Sequence, residues 1–425
     1  MRRAAFAVVV VGLIAFNATA SGGRAIQQAV AYTGARIIDG TGAPPIENGV
    51  LVVQGNRIVT VGSAKTAIPA GTRVVSMSGK TITPGFINAH GHITDVRGMK
   101  GSPEFYTPEH IQQQLTLYAR YGITTVYSLG GDDEPAFKVR DAALPGVARL
   151  FVAGRIVSAT ADAARAAVDA VKASGADLVK IRVDDNLGAT KKMPPEAYRA
   201  VIEQAHKHGL RLAAHIFYLQ DAKDIVASGG DFIAHSIRDQ PVDAELIDRL
   251  KARDVCVCPT LMRDVSTFVY ETGPSFLDDP FFVRYADRAA VEGVQTPQHQ
   301  ASNRSPSAVR YKAALEIAKQ NLRRLKDAGV RIAMGTDTGP AARFQGYFEH
   351  LELEQMVSAG LSPMQTIVAA TSDAAICMKI GDRLGALKPG YEADFIAFGK
   401  NPLDDIRNTR TLESVWVRGV EVKRE

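Results

Sequence analysis

A chain of 425 residues is long enough for one large domain with a smaller one appended to it. Apolar residues make up 46% of the chain and charged residues 22%, as in an ordinary soluble globular protein. The formal net charge of +5 is spread along the chain, so it indicates a mildly basic surface and argues against a nucleic-acid-binding protein.

The first twenty residues have the pattern of a secretory signal peptide. Arg2 and Arg3 supply positive charge, residues 4–16 are apolar, and residues 18–20 (Ala-Thr-Ala) form a small-residue cleavage site. An uncleaved membrane anchor is the alternative, although the apolar stretch is short for spanning a bilayer. We predict an exported protein, periplasmic or secreted, that keeps no stable membrane anchor after the signal peptide 1–20 is removed.

Segments rich in β-forming residues occur at both ends of the remaining chain. Residues 49–62 indicate two strands around a Gly-Asn turn, and residues 394–398 and 414–422 have the same character. We predict that residues 21–80 and 384–425 combine into one small β-sandwich.

The middle of the chain alternates between short apolar runs and helical segments. Eight runs end near residues 90, 127, 153, 181, 215, 235, 258 and 335. Eight β-then-α units are the pattern of a (β/α)8 TIM barrel, which we predict for residues 81–383; a doubly wound open sheet is the alternative. In such a barrel the chemistry lies at the carboxyl ends of the strands.

A long insertion, at about residues 259–308, separates the seventh and eighth runs. It is rich in aromatic residues, including Phe268, Tyr270 and Phe276. Connections of this length are usually functional or a partner surface. We consider two hypotheses, a lid over the pocket and a helical excursion that buries its aromatic side chains locally.

The three cysteines do not suggest a disulfide framework. Cys256 and Cys258 lie two residues apart on one predicted strand, and the Cα separation of roughly 6.5–7 Å is at the limit for a bridge. We expect them to be free, buried, small hydrophobic residues. A soft-metal site is the alternative, but the neighbouring sequence offers no third ligand.

Residues able to bind a metal lie at or near the ends of the predicted strands. His90 and His92 are two residues apart on a strand, so they face the same side. The further candidates on later runs are Lys180, His215, His235 and Asp337. Imidazole and carboxylate suit zinc and similar ions. A lysine joins such a site when CO2 converts its amine into a carbamate, whose oxygens can bridge two metals about 3.5–4 Å apart.

With these motifs the chain resembles the amidohydrolase superfamily over essentially its whole mature length. The resemblance rests on the six candidates, on residues 88–92 (Asn-Ala-His-Gly-His), on residues 335–337 (Gly-Thr-Asp) and on the tail at 384–395. Within the superfamily the chain is most similar to the exported prolidase and dipeptidase branch related to imidazolonepropionase. Binuclear members of that branch carry a lysine on strand four.

The resemblance implies a role for each of the six residues. His90, His92 and Asp337 would hold the first of two divalent metal ions, with zinc the expected metal. The second ion would be held by His215 and His235, and carboxylated Lys180 and a hydroxide would bridge the pair. Asp337 would take the proton from the attacking hydroxide and pass it to the leaving amine, as general base and then acid.

Substrate-binding residues are predicted on the loops that follow two of these strands. Tyr218 comes three residues after His215, and Arg238 three residues after His235. A tyrosine and an arginine there could bind a substrate carboxylate, because guanidinium matches carboxylate in a bidentate way. Arg182 and Arg343 are further candidates.

The leading functional hypothesis is an exported metal-dependent amidohydrolase that cleaves an amide bond of a dipeptide or an N-acyl amino acid. A lactone, cyclic amide or phosphotriester hydrolase could use the same binuclear site. A mononuclear deaminase is a third hypothesis, but superfamily deaminases commonly show His-x-x-Glu after strand five, where this chain has Tyr218. A complete ligand set argues against a non-catalytic binding protein. The expected partner is a small-molecule substrate, and a homo-oligomer is left open.

Overall fold

The computed structural model describes residues 28–158 and 160–424. The signal peptide predicted for residues 1–20 lies outside the described residues. Among the helices of the described ranges, none combines the length and the apolar character needed to cross a membrane.

The strands are numbered in chain order. They are β1 (Val30–Ile37), β2 (Ile46–Gln54), β3 (Arg57–Gly62), β4 (Arg73–Ser76), β5 (Thr81–Pro84), β6 (Phe86–Gly91), β7 (Val96–Arg97), β8 (Lys100–Gly101), β9 (Ile123–Ser128), β10 (Arg149–Val152), β11 (Val179–Val183), β12 (Leu212–Ile216), β13 (Phe232–Ala234), β14 (Cys256–Cys258), β15 (Phe395–Phe398), β16 (Leu412–Val417) and β17 (Val420–Glu421).

The helices are numbered in the same way. They are α1 (Pro108–Arg120), α2 (Glu134–Ala142), α3 (Ala161–Ala173), α4 (Pro195–Lys207), α5 (Leu219–Ser228), α6 (Ala244–Ala252), α7 (Leu261–Val265), α8 (Pro280–Val283), α9 (Arg288–Val294), α10 (Pro297–Ser302), α11 (Pro306–Asp327), α12 (Tyr347–Ser358), α13 (Pro363–Ala369) and α14 (Ser372–Cys377). Short 3₁₀ turns occupy Pro103–Phe105, Val269–Glu271, Ser275–Asp278 and Ile406–Arg410.

Strands from both ends of the chain form one mixed β-sheet. Its order is β17-β16-β15-β5-β1-β2-β3, and β4 also pairs with β1. The N- and C-terminal segments meet where β15 runs antiparallel to β5. The hydrogen bonds join these strands into a single sheet, and its folding into a sandwich stays a prediction. Phe395 and Trp416, cross-strand partners on β15 and β16, stack with their ring centroids 4.3 Å apart in its core.

Two parallel sheets occupy the middle of the chain. One contains β6, β9 and β10, and the other contains β11 to β14 in sequence order. Single bridges join Val157 to Ile181, Val257 to Ile332, and Gly91 to Thr338. Seven of the eight predicted runs are therefore strands, but the described strands do not make one continuous closed sheet. What the structure shows directly is an α/β unit with an attached β-domain.

The eighth run is an irregular segment, and its backbone explains why. Gly335 passes so close to β6 that a Cβ atom there would lie 2.5 Å from the Cys258 sulfur and 2.8 Å from the His90 nitrogen. Asp337 has a positive φ of 59°, a left-handed conformation incompatible with a regular strand. The N–H groups of Thr336 and Asp337 instead both donate to the His90 carbonyl, at 3.0 and 2.6 Å.

The insertion after β14 folds into α7 to α10 and packs its aromatic side chains against α1 and α12. Phe281 meets Tyr121 with ring centroids 5.0 Å apart, and Phe282 meets Tyr347 at 4.9 Å. The Tyr270 hydroxyl donates to the Ala342 carbonyl at 2.6 Å. These contacts bury the aromatic side chains locally, as the hypothesis of a helical excursion describes. The lid over the pocket stays a prediction.

The expectation that Cys256 is free was wrong. Cys256 forms a disulfide with Cys377, 121 residues later in the chain, with a Cα–Cα distance of 5.8 Å. Cys258 is free and buried, as expected. Along the strand, the cysteine next to Cys256 is Cys258, and the bonding partner Cys377 lies far away in the sequence. Packing places the end of α14 in the same buried cluster as β14, and spacing along the chain cannot reveal such a contact.

The disulfide should stabilise the fold, because it closes a loop of about 120 residues. We expect Cys377→Ala to lower the free energy of unfolding by about 2–5 kcal/mol, measured as a fall in melting temperature under non-reducing conditions. Cys258→Ala is the matched control and should keep a reductant-sensitive melting temperature. Equal melting temperatures for wild type and Cys377→Ala would contradict the stabilisation.

Candidate metal centre

The six sequence-predicted residues come together at the carboxyl ends of the parallel strands. The Lys180 amine lies 3.4 Å from His90 Nε2. The His235 ring centroid lies 4.6 Å from that of His90 and 4.1 Å from that of His215. The remaining two residues, His92 and Asp337, join the cluster through a 2.7 Å contact between Nε2 and Oδ1. The side chains predicted from scattered positions therefore form one cluster.

His90, His92 and Asp337 have the geometry of a metal site. One potential ligand atom from each residue lies within 4.8 Å of the others. Asp337 Oδ1 is 2.7 Å from His92 Nε2 and 3.5 Å from His90 Nε2. His90 and Asp337 are buried, so water does not disperse the carboxylate charge. These three groups fit a divalent cation.

Three of the histidine rings each have one ring nitrogen within hydrogen-bond distance of an oxygen atom, which orients the ring. His92 Nδ1 lies 3.0 Å from the Gly130 carbonyl, and His215 Nε2 lies 2.8 Å from Asp184 Oδ2. His235 Nδ1 lies 2.6 Å from the Thr260 hydroxyl. Metal-binding histidines commonly donate one ring N–H to such an oxygen, which leaves the other nitrogen with its lone pair.

The His92–Asp337 contact also fits a cation. If Nδ1 of His92 donates to the Gly130 carbonyl, a neutral ring presents the Nε2 lone pair to Asp337 Oδ1. Two lone pairs 2.7 Å apart repel each other unless a proton or a metal ion lies between or beside them. The donor set therefore matches a divalent ion in its chemistry as well as in its spacing.

Lys180 lies within strand β11 and is 2% exposed. Among the described residues, the polar contact of its amine is with His90 Nε2, and no carboxylate lies within ion-pair distance. Burial lowers the pKa of Lys180 to about 8, although the charge of Asp337 opposes this shift. Burial thus favours the neutral amine, the form that can react with CO2.

Asp337 is held as a carboxylate by its neighbours. Burial alone would raise its pKa, but the Arg343 guanidinium and the His92 contact outweigh burial and hold the pKa well below its usual range. Arg343 Nη1 donates to Asp337 Oδ2 at 2.6 Å, and its Nε donates to the Ser266 hydroxyl at 3.2 Å. Arg343, one of the further candidates in the sequence, therefore touches the proposed proton carrier directly.

Two more arginines lie near this cluster, Arg238 on the loop after β13 and Arg263 on α7, the short helix after β14. Arg238 Nε is 3.1 Å from Asp264 Oδ2, and Arg263 Nη1 is 2.8 Å from Asp264 Oδ1. Both guanidinium groups are buried. With Arg343, three guanidinium groups lie close to Asp264 and Asp337, and the charge of Asp184 also acts on Arg238.

The predicted substrate-binding residues are both engaged within the protein. The Tyr218 hydroxyl donates to Asp185 at 2.8 Å. Arg238 is 1% exposed, stacks on Phe217 and donates from Nη1 to the carbonyls of Ile216 and Ser236. Its Nη2 has no hydrogen-bond partner among the described residues. The fourth candidate, Arg182, is exposed and contacts Asn186.

Sequence reasoning did not select the residues that orient the ligands. Asp184 directly follows β11, and Thr260 follows β14, so both occupy the same strand-end positions as the histidines they contact. The position of Asp184 and Thr260 just after a predicted strand was therefore a signal by which the sequence could have identified them. Glu349 on α12 also contacts this region, but a glutamate within a helix carries no such signal.

The sequence profile of the amidohydrolase family matches residues 81–422. The chain belongs to the amidohydrolase family. The resemblance drawn from the sequence, including the branch related to prolidases and imidazolonepropionase, is thereby confirmed. The family and its solved structures imply a TIM-barrel fold with a β-domain.

The relatives by sequence are distant. An ochratoxinase from Aspergillus niger is 24% identical over 256 residues, which are 58% of this chain and 46% of that protein. The chain thus spans about half the length of this relative. An imidazolonepropionase from Cutibacterium acnes is 25% identical over 371 residues, covering 83% of this chain and 84% of the other.

Solved structures share the fold over nearly the whole chain. A putative prolidase from Bifidobacterium longum has a TM-score of 0.75 at 24% identity and covers 94% of this chain and 95% of its own. A Xaa-Pro dipeptidase with bound methionine has a TM-score of 0.74 at 21% identity, with coverages of 93% and 100%. At these identities the likeness establishes the fold alone.

The buried histidines should make the metal-free amidohydrolase sensitive to acid. His350 is not among the ligand candidates, and burial lowers its pKa to about 3 although its contact with the Tyr121 carbonyl opposes the shift. An unfolded histidine has a pKa of about 6.5. The stability due to the neutral ring is therefore fully present above about pH 6.5. It is lost as the pH falls toward about 3, by up to about 1.4 kcal/mol per pH unit.

Thermal denaturation of metal-depleted protein between pH 7 and pH 5 tests this expectation. The melting temperature should fall as the pH falls, and it should fall less steeply in His350→Gln, since glutamine takes up no proton. The comparison uses the slope against pH, because the substitution itself will shift the absolute value. Identical slopes in the two proteins would show that His350 does not contribute.

Proposed function

We propose that this protein is an exported, binuclear metal-dependent hydrolase that cleaves the amide bond of a dipeptide or an N-acyl amino acid. The observation that supports it is the convergence of six metal-competent side chains in one pocket of an amidohydrolase-family fold. We further infer that the three single bridges complete a closed eight-stranded barrel around this pocket. On this view residues 81–383 are the barrel, and the two chain ends form its β-domain.

We assign the first ion to His90, His92 and Asp337, and the second to His215 and His235, with carboxylated Lys180 between them. His235 Nε2 and His215 Nδ1 are the nitrogens left available by the contacts to Thr260 and Asp184. Divalent ions bound there, zinc by expectation, would polarise the scissile carbonyl and lower the pKa of a water molecule.

The chain's own residues would then bind the substrate and move the proton. Asp337 would accept the proton of the attacking water at Oδ1 or Oδ2 and deliver it to the leaving nitrogen. Arg343, at 2.6 Å, would keep Asp337 ionised and ready to accept the proton. His92 would hold the carboxylate in place from its other side.

The arginines near the metal-ligand candidates support a substrate that carries a carboxylate. Three guanidinium groups, those of Arg238, Arg263 and Arg343, lie at this site, and Nη2 of Arg238 has no hydrogen-bond partner among the described residues. A dipeptide or an N-acyl amino acid brings one anionic group beside its amide bond, and a guanidinium pairs well with such a group. Arg238 would use its unpartnered Nη2, whereas Tyr218 would exchange its Asp185 partner for the substrate.

Export is supported by the disulfide as well as by the residues at the start of the chain. Disulfides such as Cys256–Cys377 persist in oxidising compartments and are rare in the cytosol. The pattern of residues 1–20 predicts the same destination.

The function is tested by hydrolysis assays of zinc-loaded protein on matched substrate sets. Dipeptides and N-acyl amino acids should be cleaved, and the corresponding C-terminal amides should be cleaved more slowly because they lack the carboxylate. Turnover of lactones or phosphotriesters with none of dipeptides or N-acyl amino acids would overturn the substrate assignment.

Lys180→Ala should remove one of the two metal ions per chain and most of the activity, because alanine cannot supply the bridging oxygens. Metal content is measured by elemental analysis of protein at known concentration. Short-chain carboxylic acids should partly restore activity by occupying the vacated position. Lys192→Ala is the control, since that ammonium pairs with Asp221 at 2.8 Å and should leave both ions bound. Two ions and full turnover in Lys180→Ala would contradict the bridging role.

Asp337→Asn should lower turnover by about 10²–10⁴-fold, because the amide keeps an oxygen near the ligands but cannot carry the proton. Circular dichroism and melting temperature should show an intact fold. Near-normal turnover in a metal-loaded variant would mean that another group moves the proton.

A further inference from the structure

A fully buried carboxyl group lies beside the proposed metal centre without touching it. Glu349, on α12, is 0% exposed. Its Oε1 accepts hydrogen bonds from Asn88 Nδ2 at 2.6 Å, from the Thr336 hydroxyl at 2.8 Å and from the Thr338 hydroxyl at 2.7 Å. One oxygen therefore collects three donors from two distant parts of the chain.

Those donors belong to the two segments that carry the first set of ligands. Asn88 lies on β6 two residues before His90, and its Oδ1 accepts the His90 backbone N–H at 3.0 Å. Thr336 and Thr338 flank Asp337 on either side. Glu349 thus links a side chain on the strand that carries His90 to the side chains on both sides of Asp337.

The segment around Asp337 needs such a restraint. The φ of 59° at Asp337 is a left-handed conformation that a non-glycine residue keeps only where the surrounding structure imposes it. The hydroxyl of Thr338 also meets the Tyr118 hydroxyl at 2.8 Å and that of Thr336 at 2.9 Å. Removing the Glu349 carboxyl group at the centre of this network would take one acceptor away from the buried donors of Asn88, Thr336 and Thr338.

Packing alone does not account for a carboxyl group at this position. Glu349 Oε2 has no hydrogen-bond partner among the described residues, so its polar contacts are concentrated on the oxygen facing the two ligand segments. Burying a carboxyl group is costly unless its contacts compensate. An apolar side chain of similar size would fill the space without that cost, but it would offer no acceptor to the three donors.

We propose that Glu349 is a positioning residue, whose carboxyl oxygen Oε1 fixes Asp337 and His90 in the conformation that binds the first metal ion. This inference rests on the proposed function, because it presumes that these residues are ligands. Glu349 acts through Asn88, Thr336 and Thr338, and it contacts neither metal nor substrate.

Helix α12 offers a matched control. Glu352, three residues later, is also 0% exposed. Its two carboxyl oxygens accept the backbone N–H groups of Leu261 and Met262 at 2.8 and 2.7 Å, so it restrains the start of α7. The two glutamates share a helix and a degree of burial, but Glu349 alone of the pair contacts the segments that carry His90 and Asp337.

The test is the zinc affinity of the full chain, measured by competition with a chelating dye. The visible absorption spectrum of cobalt-loaded protein reports separately on the geometry of the ligands. Glu349→Ala should weaken zinc binding by about 10–100-fold, the range seen when groups supporting metal ligands are removed. It should also change the cobalt spectrum. Glu349→Gln, which keeps an acceptor oxygen, should recover most of the affinity. Glu352→Ala should bind zinc as wild type does, whatever its melting temperature.

The outcomes separate this inference from the function on which it rests. Wild type that binds no zinc would defeat the proposed function, and the inference with it. Wild type that binds two ions, with equal affinities in Glu349→Ala and Glu352→Ala, would overturn the inference alone. If Glu349→Ala does not fold, Thr338→Val removes one donor from the same network at nearly constant volume. It should weaken zinc binding in the same direction, and unchanged affinity there would also overturn the inference.

Discussion

The contact on which the rest of this structure depends is the one between residues 336–338 and strand β6. Both N–H groups at Thr336 and Asp337 donate to the His90 carbonyl, and Thr338 accepts the His92 N–H at 2.8 Å. This contact joins the last apolar run to the first. It also brings the Asp337 carboxylate against two histidines, so the same few hydrogen bonds organise the architecture and the proposed metal centre.

Burial shifts the pKa values of the side chains at this site toward their neutral forms. Burial is the main cause that lowers the pKa values of His90, His215 and His235, and it also lowers that of Lys180. Neutral imidazoles and a neutral amine are the forms that bind metal or accept CO2. Asp337 is the exception, because Arg343 keeps it ionised. A pocket with neutral donors and one stabilised carboxylate is suited to cations, and the family assignment agrees with that reading.

The sequence predicted the architecture well where the signal was periodic. Seven of the eight apolar runs are strands, and spacing was enough to select all six residues that converge. It failed where contacts depend on packing between distant segments. The Cys256–Cys377 disulfide joins residues 121 positions apart. The eighth run leads into Asp337, whose backbone is left-handed, and Glu349 contacts the site from within a helix. None of these features leaves a local pattern, because each is set by tertiary contacts.

Anomalous X-ray scattering from crystals of zinc-loaded protein, recorded at the zinc absorption edge, tests the central claim most directly. The account predicts two peaks in one pocket, the first among His90, His92 and Asp337 and the second between His215 and His235. Density for a carboxylated Lys180 should lie between them. Loaded protein with no peak in that pocket, or with zinc bound elsewhere, would contradict it.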